Sequence, residues 1–520
     1  GIYSPLRTLF FSVNYHLWGD QPWGYHLVSL IVHSLGIWVA YRLLFLLTAC
    51  RAMSFLGTLI FAVHPVHVES ITYITATADT VGLVLLLLSF FYYVRSFGEK
   101  ARAGLMNLPD GKSEGVDEKD YRLALIWGTA AMFTHELAMS LPFLIAFYDA
   151  LFSPGRRSWK RVLKRVLPFF LVAAGYLVSK YVTLGGLTRG GYPFDAPLQT
   201  FLVVLKSWAL YWWVMIFPWT LSHNRTISDG IFSFDETGFD RQAFLSQSLV
   251  DPQVLLSAIL MLAFLVIAAN RYRRTPLISF CIGWFYLSLL PVAQMIPSSV
   301  FYAERYLYVG SLGACCVFSY LAVQGLLSLK KRARPACAAL VALMMLWIGF
   351  LAVRTLLRNR DYRNDIAYFE SAVRESPTSS LMHDALGRAY LENNLPEKAV
   401  ESFETAVALN PSNPELYFAM EPAYSAFNRF DDSERVLKKA MALDSQYAEA
   451  YYNLAGLLAY QGREQEGRAA LGQAVDLWVK QGMILEAGEA LEAFYLFLLD
   501  RKGELKKMSA KDLINGLTHE

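Results

Sequence analysis

The chain has 520 residues, enough for two or more domains. Hydrophobic residues make up 55% and charged residues 18%, with a mean hydropathy of +0.32. A soluble globular chain is nearer about a quarter charged, so a disordered chain and a purely soluble enzyme are both excluded. The net charge of +3 conceals a split: residues 361–520 carry 16 Lys/Arg and 26 Asp/Glu, and residues 1–360 carry 31 and 18. A basic, apolar body is joined to an acidic, soluble domain, and nothing in this balance argues for nucleic-acid binding.

A spanning helix needs about 20 mostly apolar residues. In chain order the apolar runs are 25–47, 53–76, 79–95, 122–135, 138–152, 166–184, 198–219, 253–270, 276–296, 306–327 and 336–353. Cys50, Cys281, Cys315, Cys316 and Cys337 lie within or at the ends of these runs with no CxxC spacing, and read as small core residues. The basic stretches SPGRRSWKRVLKR (153–165), NRYRR (270–274) and KKRARP (330–335) belong in the cytoplasm. Loop 185–198 and the segment 226–240 are poor in Lys and Arg and belong outside. The last run then leaves the cytoplasm, placing the C-terminal domain on the periplasmic or lumenal side. Run 198–219 falls between two outer ends, so it either dips in and returns or lies at the interface. There Trp208, Tyr211, Trp212, Trp213 and Trp219 suit a headgroup-level aromatic belt. Counting back from the first basic loop puts residue 1 outside as well, so we expect an earlier span upstream of this sequence.

The acidic half repeats with a period of 34 residues. Pro377, Pro411 and Ser445 align, as do Ala406, Ala440 and Ala474, and Phe403, Leu437 and Leu471. Small residues alternating with large ones describe helix pairs whose neighbours approach closely, the tetratricopeptide repeat (TPR). NDIAYFESAVRESP (364–377) supplies a leading half-unit. The middle repeat has Glu421-Pro422 where a helix interior is expected, which predicts a kink or restart. The expected fold is all-α: a polytopic transmembrane bundle over 1–354, TPR repeats over 361–479, and capping helices over 480–520. Such a stack presents a concave groove for a peptide or protein partner, or packs on the membrane body.

Ionisable side chains in or beside spans are costly and are candidate functional groups. HPVHVES (64–70) places His64, His67 and Glu69 at the outward end of a hairpin, and Asp79 starts the return helix. His135-Glu136 lies between two short runs, and YAERYLY (302–308) brings Glu304, Arg305 and Tyr306 before another span. Three hairpins thus converge on one face. His64, His67 and Glu69 have the wrong spacing for a helical metal pair and could instead cap or hydrogen-bond. Glu304 and Arg305 could pair with each other or with lipid headgroups. Arg305 beside Tyr306 also suits a phosphate, whose oxygens a guanidinium binds in a fork. Arg7 and Arg42 read as interfacial anchors, and Asp149 and Lys180 carry no assigned role.

YSPLRTLFFSVNYHLWG (3–19), FAVHPVHVESITYITATAD (61–79), HELAMSLPFLIAFYDALF (135–152), LLPVAQMIP (289–297) and AERYLYVGSLG (303–313) occur in this order ahead of the TPRs. This resembles the transmembrane-and-TPR-containing (TMTC-like) protein O-mannosyltransferases. The resemblance implies a GT-C glycosyltransferase, moving a sugar, mannose in that family, from a polyprenyl or dolichyl phosphate to protein Ser/Thr hydroxyls on the periplasmic or lumenal side, with the TPRs presenting the acceptor. The membrane would be a bacterial inner membrane, or the endoplasmic reticulum in a eukaryote. It implies no cofactor beyond the lipid-linked donor, and leaves a divalent cation open. The family's acidic pair, the expected general base, lies in a loop upstream of the PLRTL-like segment. Among residues present, Arg305 with Tyr306, His64 and His67 would meet the donor phosphate, and Glu69, Asp79, Glu136 and Glu304 would shape the polar cavity. Two departures are Thr77-Ala78 before Asp79 and His135 before Glu136, where relatives often carry a basic residue. The competing reading is a non-enzymatic membrane-anchored TPR scaffold, which has no need for acids gathered at one face.

Overall fold

The computed structural model describes residues 3–97, 116–152, 159–186, 192–222, 225–228, 231–233, 241–298, 300–330 and 334–501. The basic stretch 153–158, residues 331–333, most of 229–240 and the C-terminal part of the expected capping region lie outside them. The chain divides into two units, Gly1–Ala367 and Tyr368–Glu520.

The first unit is helical. It comprises α1 (Pro5–Trp18), α2 (Pro22–Thr48), α3 (Arg51–Val63), α4 (Val68–Thr72), α5 (Thr77–Arg95), α6 (Glu118–Thr134), α7 (Leu141–Phe152) and α8 (Trp159–Leu184). These are followed by α9 (Pro197–Ile216), a small antiparallel hairpin of β1 (Thr226–Ser228) and β2 (Ile231–Phe232), α10 (Arg241–Leu245), α11 (Pro252–Arg271), α12 (Pro276–Ser288), α13 (Leu307–Lys330) and α14 (Arg334–Asp361). Among the described residues seven helices are long and apolar enough to cross a membrane, and an eighth candidate is the bent pair Arg51–Val63 and Pro65–Thr72. Exposed Leu256, Ile259, Leu262, Leu343, Met345 and Leu346 give α11 and α14 lipid-compatible surfaces.

The expected continuous run 53–76 is broken by 52°. Pro65 has no N–H to continue the ladder and holds His64 extended at φ −75°, ψ 125°. Short 3₁₀ turns follow at Pro65–His67 and Ile74–Ala76, and others at Glu136–Ser140 and Glu304–Tyr306. These turns present the candidate residues. Gly82 brings α5 against one of them: a Cβ there would meet the His135 Cβ at 2.7 Å and the Thr134 Cβ at 3.2 Å. Gly82→Val is therefore expected to destabilise by about 1–3 kcal/mol through overpacking, read as a lowered unfolding temperature of the purified protein; an unchanged temperature would mean that this approach is not tight.

Helix α9 passes the length and apolarity test for a span, yet loop residues hold it along its length. Lys206 pairs with Asp251, the N-cap of α11, at 3.0 Å. Tyr211 accepts the Ala303 N–H at 3.1 Å, next to the Glu304 turn. Trp212 stacks on Phe264 and Phe285 with centroids 4.2 and 4.1 Å apart. The aromatic residues expected to form a headgroup belt thus divide: Tyr211 and Trp212 are buried, and Trp213 and Trp219 are exposed.

In the second unit, three antiparallel pairs follow one another: α16 (Ser380–Glu392) with α17 (Pro396–Leu409), α18 (Pro414–Ala426) with α19 (Phe430–Leu443), and α20 (Ala448–Gln461) with α21 (Glu464–Gln481). Helix α15 (Asp365–Glu375) precedes them and α22 (Ile484–Arg501) follows. Ala406, Ala440 and Ala474 are fully buried at the 34-residue period. Gly387 lets the first pair close, since a Cβ would meet the Phe403 ring at 2.7 Å. The expected restart at Pro422 does not occur: α18 runs unbroken to Ala426. Proline removes one N–H near the last turn, and burial of Leu416, Ala419, Met420, Ala423 and Tyr424 holds the remainder in register.

Glu421 is buried, accepting from Ser425 Oγ at 2.6 Å and from Asn453 Nδ2 at 3.4 Å. Burial raises its carboxyl above the usual range despite these bonds. A raised folded value means the native state holds the proton more tightly. This group's stabilising contribution is complete below the ordinary carboxylate value and is lost as pH rises through the folded one. Glu421→Gln is accordingly expected to raise the unfolding temperature more at pH 7.5 than at pH 4.5; an equal gain at both would contradict it.

Candidate functional site

Glu69, Asp79 and Arg305, from three separate segments, meet in one ion cluster. Glu69 lies in the short α4 and is almost fully buried. Its Oε2 accepts the Arg305 backbone N–H at 3.1 Å and its Oε1 accepts the guanidinium Nη1. One carboxylate thus fixes both the main chain and the side chain of Arg305. The Arg305 Nε faces Asp79 Oδ2 at 4.0 Å, and its guanidinium lies 5.4 Å from the Tyr306 ring centroid. Asp79, in the first turn of α5, also takes Arg7 Nη1 on Oδ1 at 3.1 Å and faces His135 Nε2 at 3.5 Å. His135 Nδ1 accepts the Leu137 N–H at 3.2 Å, which leaves Nε2 as the protonated nitrogen turned to Asp79.

Glu136 and Glu304 lie to either side. Glu136 is the most open of these acids, 48% exposed at its side chain, and pairs with Lys180 Nζ at 2.7 Å. Glu304 is fully buried and faces Arg358 Nη2 of α14 at 3.7 Å. Arg358 also bonds Asp361 at 3.1 Å, and the Tyr362 hydroxyl lies 3.4 Å away. Beneath this turn Tyr302 stacks on Tyr211 with centroids 4.5 Å apart. Burial holds the Tyr302 and Tyr362 phenols protonated, well above their ordinary values.

His64 and His67 are not part of this ion cluster; they point into the bundle. His64 Nδ1 accepts the Val66 N–H at 3.3 Å, capping the 3₁₀ turn, and its Nε2–H donates to the Met215 carbonyl at 3.2 Å. His67 Nε2 is 2.9 Å from Ser311 Oγ, and its ring packs on Phe61 and Tyr308. His33, unmarked by sequence reading, joins them through Tyr308 at 2.9 Å. Two arginines were also missed. Arg7 is an ion-cluster member rather than a simple interfacial anchor, whereas Arg42 lies over the Trp38 ring. Arg358 carried one legible signal: an arginine just past the last apolar run. Among the described residues no group of three or more His, Cys, Asp or Glu is placed to hold a metal ion.

Fold and site define a multi-pass membrane protein with an ion cluster at the end of its bundle, carrying a TPR solenoid. A tetratricopeptide repeat family model matches residues 350–414 and 422–481. Over about three quarters of its length the chain is similar to TMTC proteins. It is 26% identical over 451 residues to the fruit-fly (Drosophila melanogaster) protein O-mannosyl-transferase Tmtc3, covering 75% of this chain and 46% of that protein. To human TMTC4 it is 25% identical over 448 residues, 74% of this chain and 55% of the relative. A stretch of 165 residues is 34% identical to mouse TMTC1, 30% of this chain and 16% of that protein. The chain spans about half the length of the curated relatives it matches. Among solved structures, that of MamA is matched with a TM-score of 0.25 and 20% identity over 32% of this chain and 91% of that one.

Proposed function

We propose that this chain acts as a GT-C-type protein O-mannosyltransferase, which moves mannose from a polyprenyl or dolichyl phosphate to a Ser/Thr hydroxyl. The observation that carries the reading is the way Glu69 holds Arg305 by backbone and side chain, within contact of Asp79, on turns drawn from separate hairpins. A scaffold has no chemical need for these charges, whose shared desolvation is costly.

In the proposed reaction the acceptor oxygen bonds to the anomeric carbon of the sugar. The bond from that carbon to the phosphate oxygen breaks, its electron pair leaves with the lipid phosphate, and the hydroxyl proton passes to a carboxylate. Arg305 stabilises the charge that builds on the departing phosphate. Glu69 orients Arg305, and Glu304 anchors the turn from below. Glu136, open and paired with a lysine, is the candidate within this chain to receive the proton. His64 and His67 support the turn that bears Glu69. The reaction takes place on the periplasmic or lumenal side, where the TPR unit presents the acceptor segment.

The test is transfer by the purified full-length protein in nanodiscs, from dolichyl-phosphate mannose to a Ser/Thr-rich peptide. Mannosylated peptide is the expected product. Failure with every lipid-phosphate sugar, alongside peptide binding by the same preparation, would leave the scaffold reading in its place.

A further inference from the structure

Asp79 lies between two guanidinium groups from distant parts of the sequence. Arg7 donates to Oδ1 at 3.1 Å, and Arg305 faces Oδ2 at 4.0 Å. Arg305 has Glu69 as its own partner. Arg7 is held more lightly, by the Thr75 carbonyl at 3.1 Å and by the Phe11 ring at 5.8 Å. Its side chain keeps 22% exposure, and it lines a cavity of about 530 Å³ along α1 with Ser4, Thr8, Phe11, Ser12 and Tyr15. The two oxygens of one carboxylate thus each face one guanidinium, Oδ1 through a hydrogen bond from Arg7 and Oδ2 with the Arg305 Nε 4.0 Å away, beside an open space. Guanidinium forks bind phosphate oxygens with the same geometry.

We propose that Arg7 and Arg305 are the two arms of one oxyanion clamp for the phosphate of a lipid-linked sugar, and that Asp79 fills the clamp as an internal stand-in until that phosphate arrives. The inference rests on the transferase reading of this site and adds to it a second arm and a competitor. A phosphodiester carries one negative charge. As the bond to the sugar breaks, its bridging oxygen gains another, so a pair of cations favours the transition state over the bound donor. Asp79, displaced from the clamp, still has His135 Nε2 beside it, 3.5 Å from Oδ1. Thr8 and Ser12 line the same space, where the sugar attached to the phosphate would project.

A merely structural Arg7–Asp79 pair, tying α1 to α5, makes a different prediction. Loss of either partner would then harm the site alike. With a clamp, the two substitutions act in opposite directions. The probe is dolichyl phosphate, with dolichol as the tail-only control and inorganic phosphate as a competitor to separate headgroup from tail, measured by equilibrium binding to the purified protein in nanodiscs. Arg7→Gln and Arg305→Gln are each expected to weaken binding by about tenfold or more, whereas Asp79→Asn tightens it because the competitor loses its charge. Wild-type affinity in Arg7→Gln, or a loss in Asp79→Asn equal to that in Arg7→Gln, overturns the clamp and leaves the transferase reading standing on Arg305. No preference of the wild type for dolichyl phosphate over dolichol, or unchanged binding in Arg305→Gln, instead removes the lipid-phosphate reading itself. Should Arg7→Gln fail to fold, Arg7→Lys decides: it keeps the charge on Asp79 but loses the fork, so weakened binding supports the clamp and wild-type affinity overturns it.

Discussion

Arg305→Ala is expected to reduce mannosyl transfer by about a hundredfold or more, the usual cost of removing one preorganised donor to a developing oxyanion. The group lost is one whose position is fixed twice over by Glu69, so no neighbouring residue can move in to replace it without first displacing that carboxylate. The loss should fall mainly on kcat, because negative charge on the phosphate oxygen grows as the sugar bond breaks. Arg305→Ala also leaves Glu69 buried without its cation, so a folding defect must be separated from a chemical one. Arg305→Lys does so: it keeps a positive charge near Glu69 while losing the fork, and its activity should fall between the two. Steady-state kinetics on both variants, alongside their unfolding temperatures, make the check. Wild-type kcat in Arg305→Lys would show that the fork is not used in catalysis, and wild-type turnover in Arg305→Ala would remove the residue from the reaction.

Arg358→Met is expected to cost about 3–5 kcal/mol of stability, the penalty for stranding a buried carboxylate by removing its partner. Glu304 is fully buried, and Arg358 reaches it from the other side of the turn. The double variant Glu304→Gln with Arg358→Met should recover much of the loss, since it removes both charges together. Unfolding temperatures of the single and double variants test this. Equal losses in both would mean that the contribution of Arg358 runs through Asp361 and Tyr362 rather than through Glu304.

The fold was legible wherever a period or a long apolar run recorded it. The 34-residue spacing of Ala406, Ala440 and Ala474 gave the repeat register directly, because each marks a close helix contact that only a small residue permits. Pro422 does not restart the helix, since local propensity says nothing about the burial on either side that keeps α18 in one piece. In the membrane unit, the HPVHVE and AERY segments could be marked as unusual from the cost of charge beside lipid. Their pairing could not: Glu69 and Arg305 are 236 positions apart, and no spacing rule reaches across that distance. For the same reason His64 and His67 looked like site residues. A buried imidazole bonded to a carbonyl or a serine reads in sequence just like one turned to a ligand. Arg7 and Arg358 were hidden differently, as ordinary arginines near span ends, where the default is an anchor in the headgroups.

Helix α14 has a consequence for the order of biosynthesis. Thr355 Oγ1 donates at 2.7 Å to the Val63 carbonyl, at the break that Pro65 imposes. Along the same helix Trp347 Nε1 donates to the Ile216 carbonyl at 3.2 Å, Arg354 Nε donates to that of Pro218 at 3.2 Å, and Arg358 faces Glu304. Segments that leave the ribosome early are therefore completed by one that emerges some 290 residues after Val63. Until it inserts, the ends of α3 and α9 and the acid before Arg305 lack these partners. Nascent chains released before this segment should be selectively recognised by membrane quality control, while chains released just after it should escape.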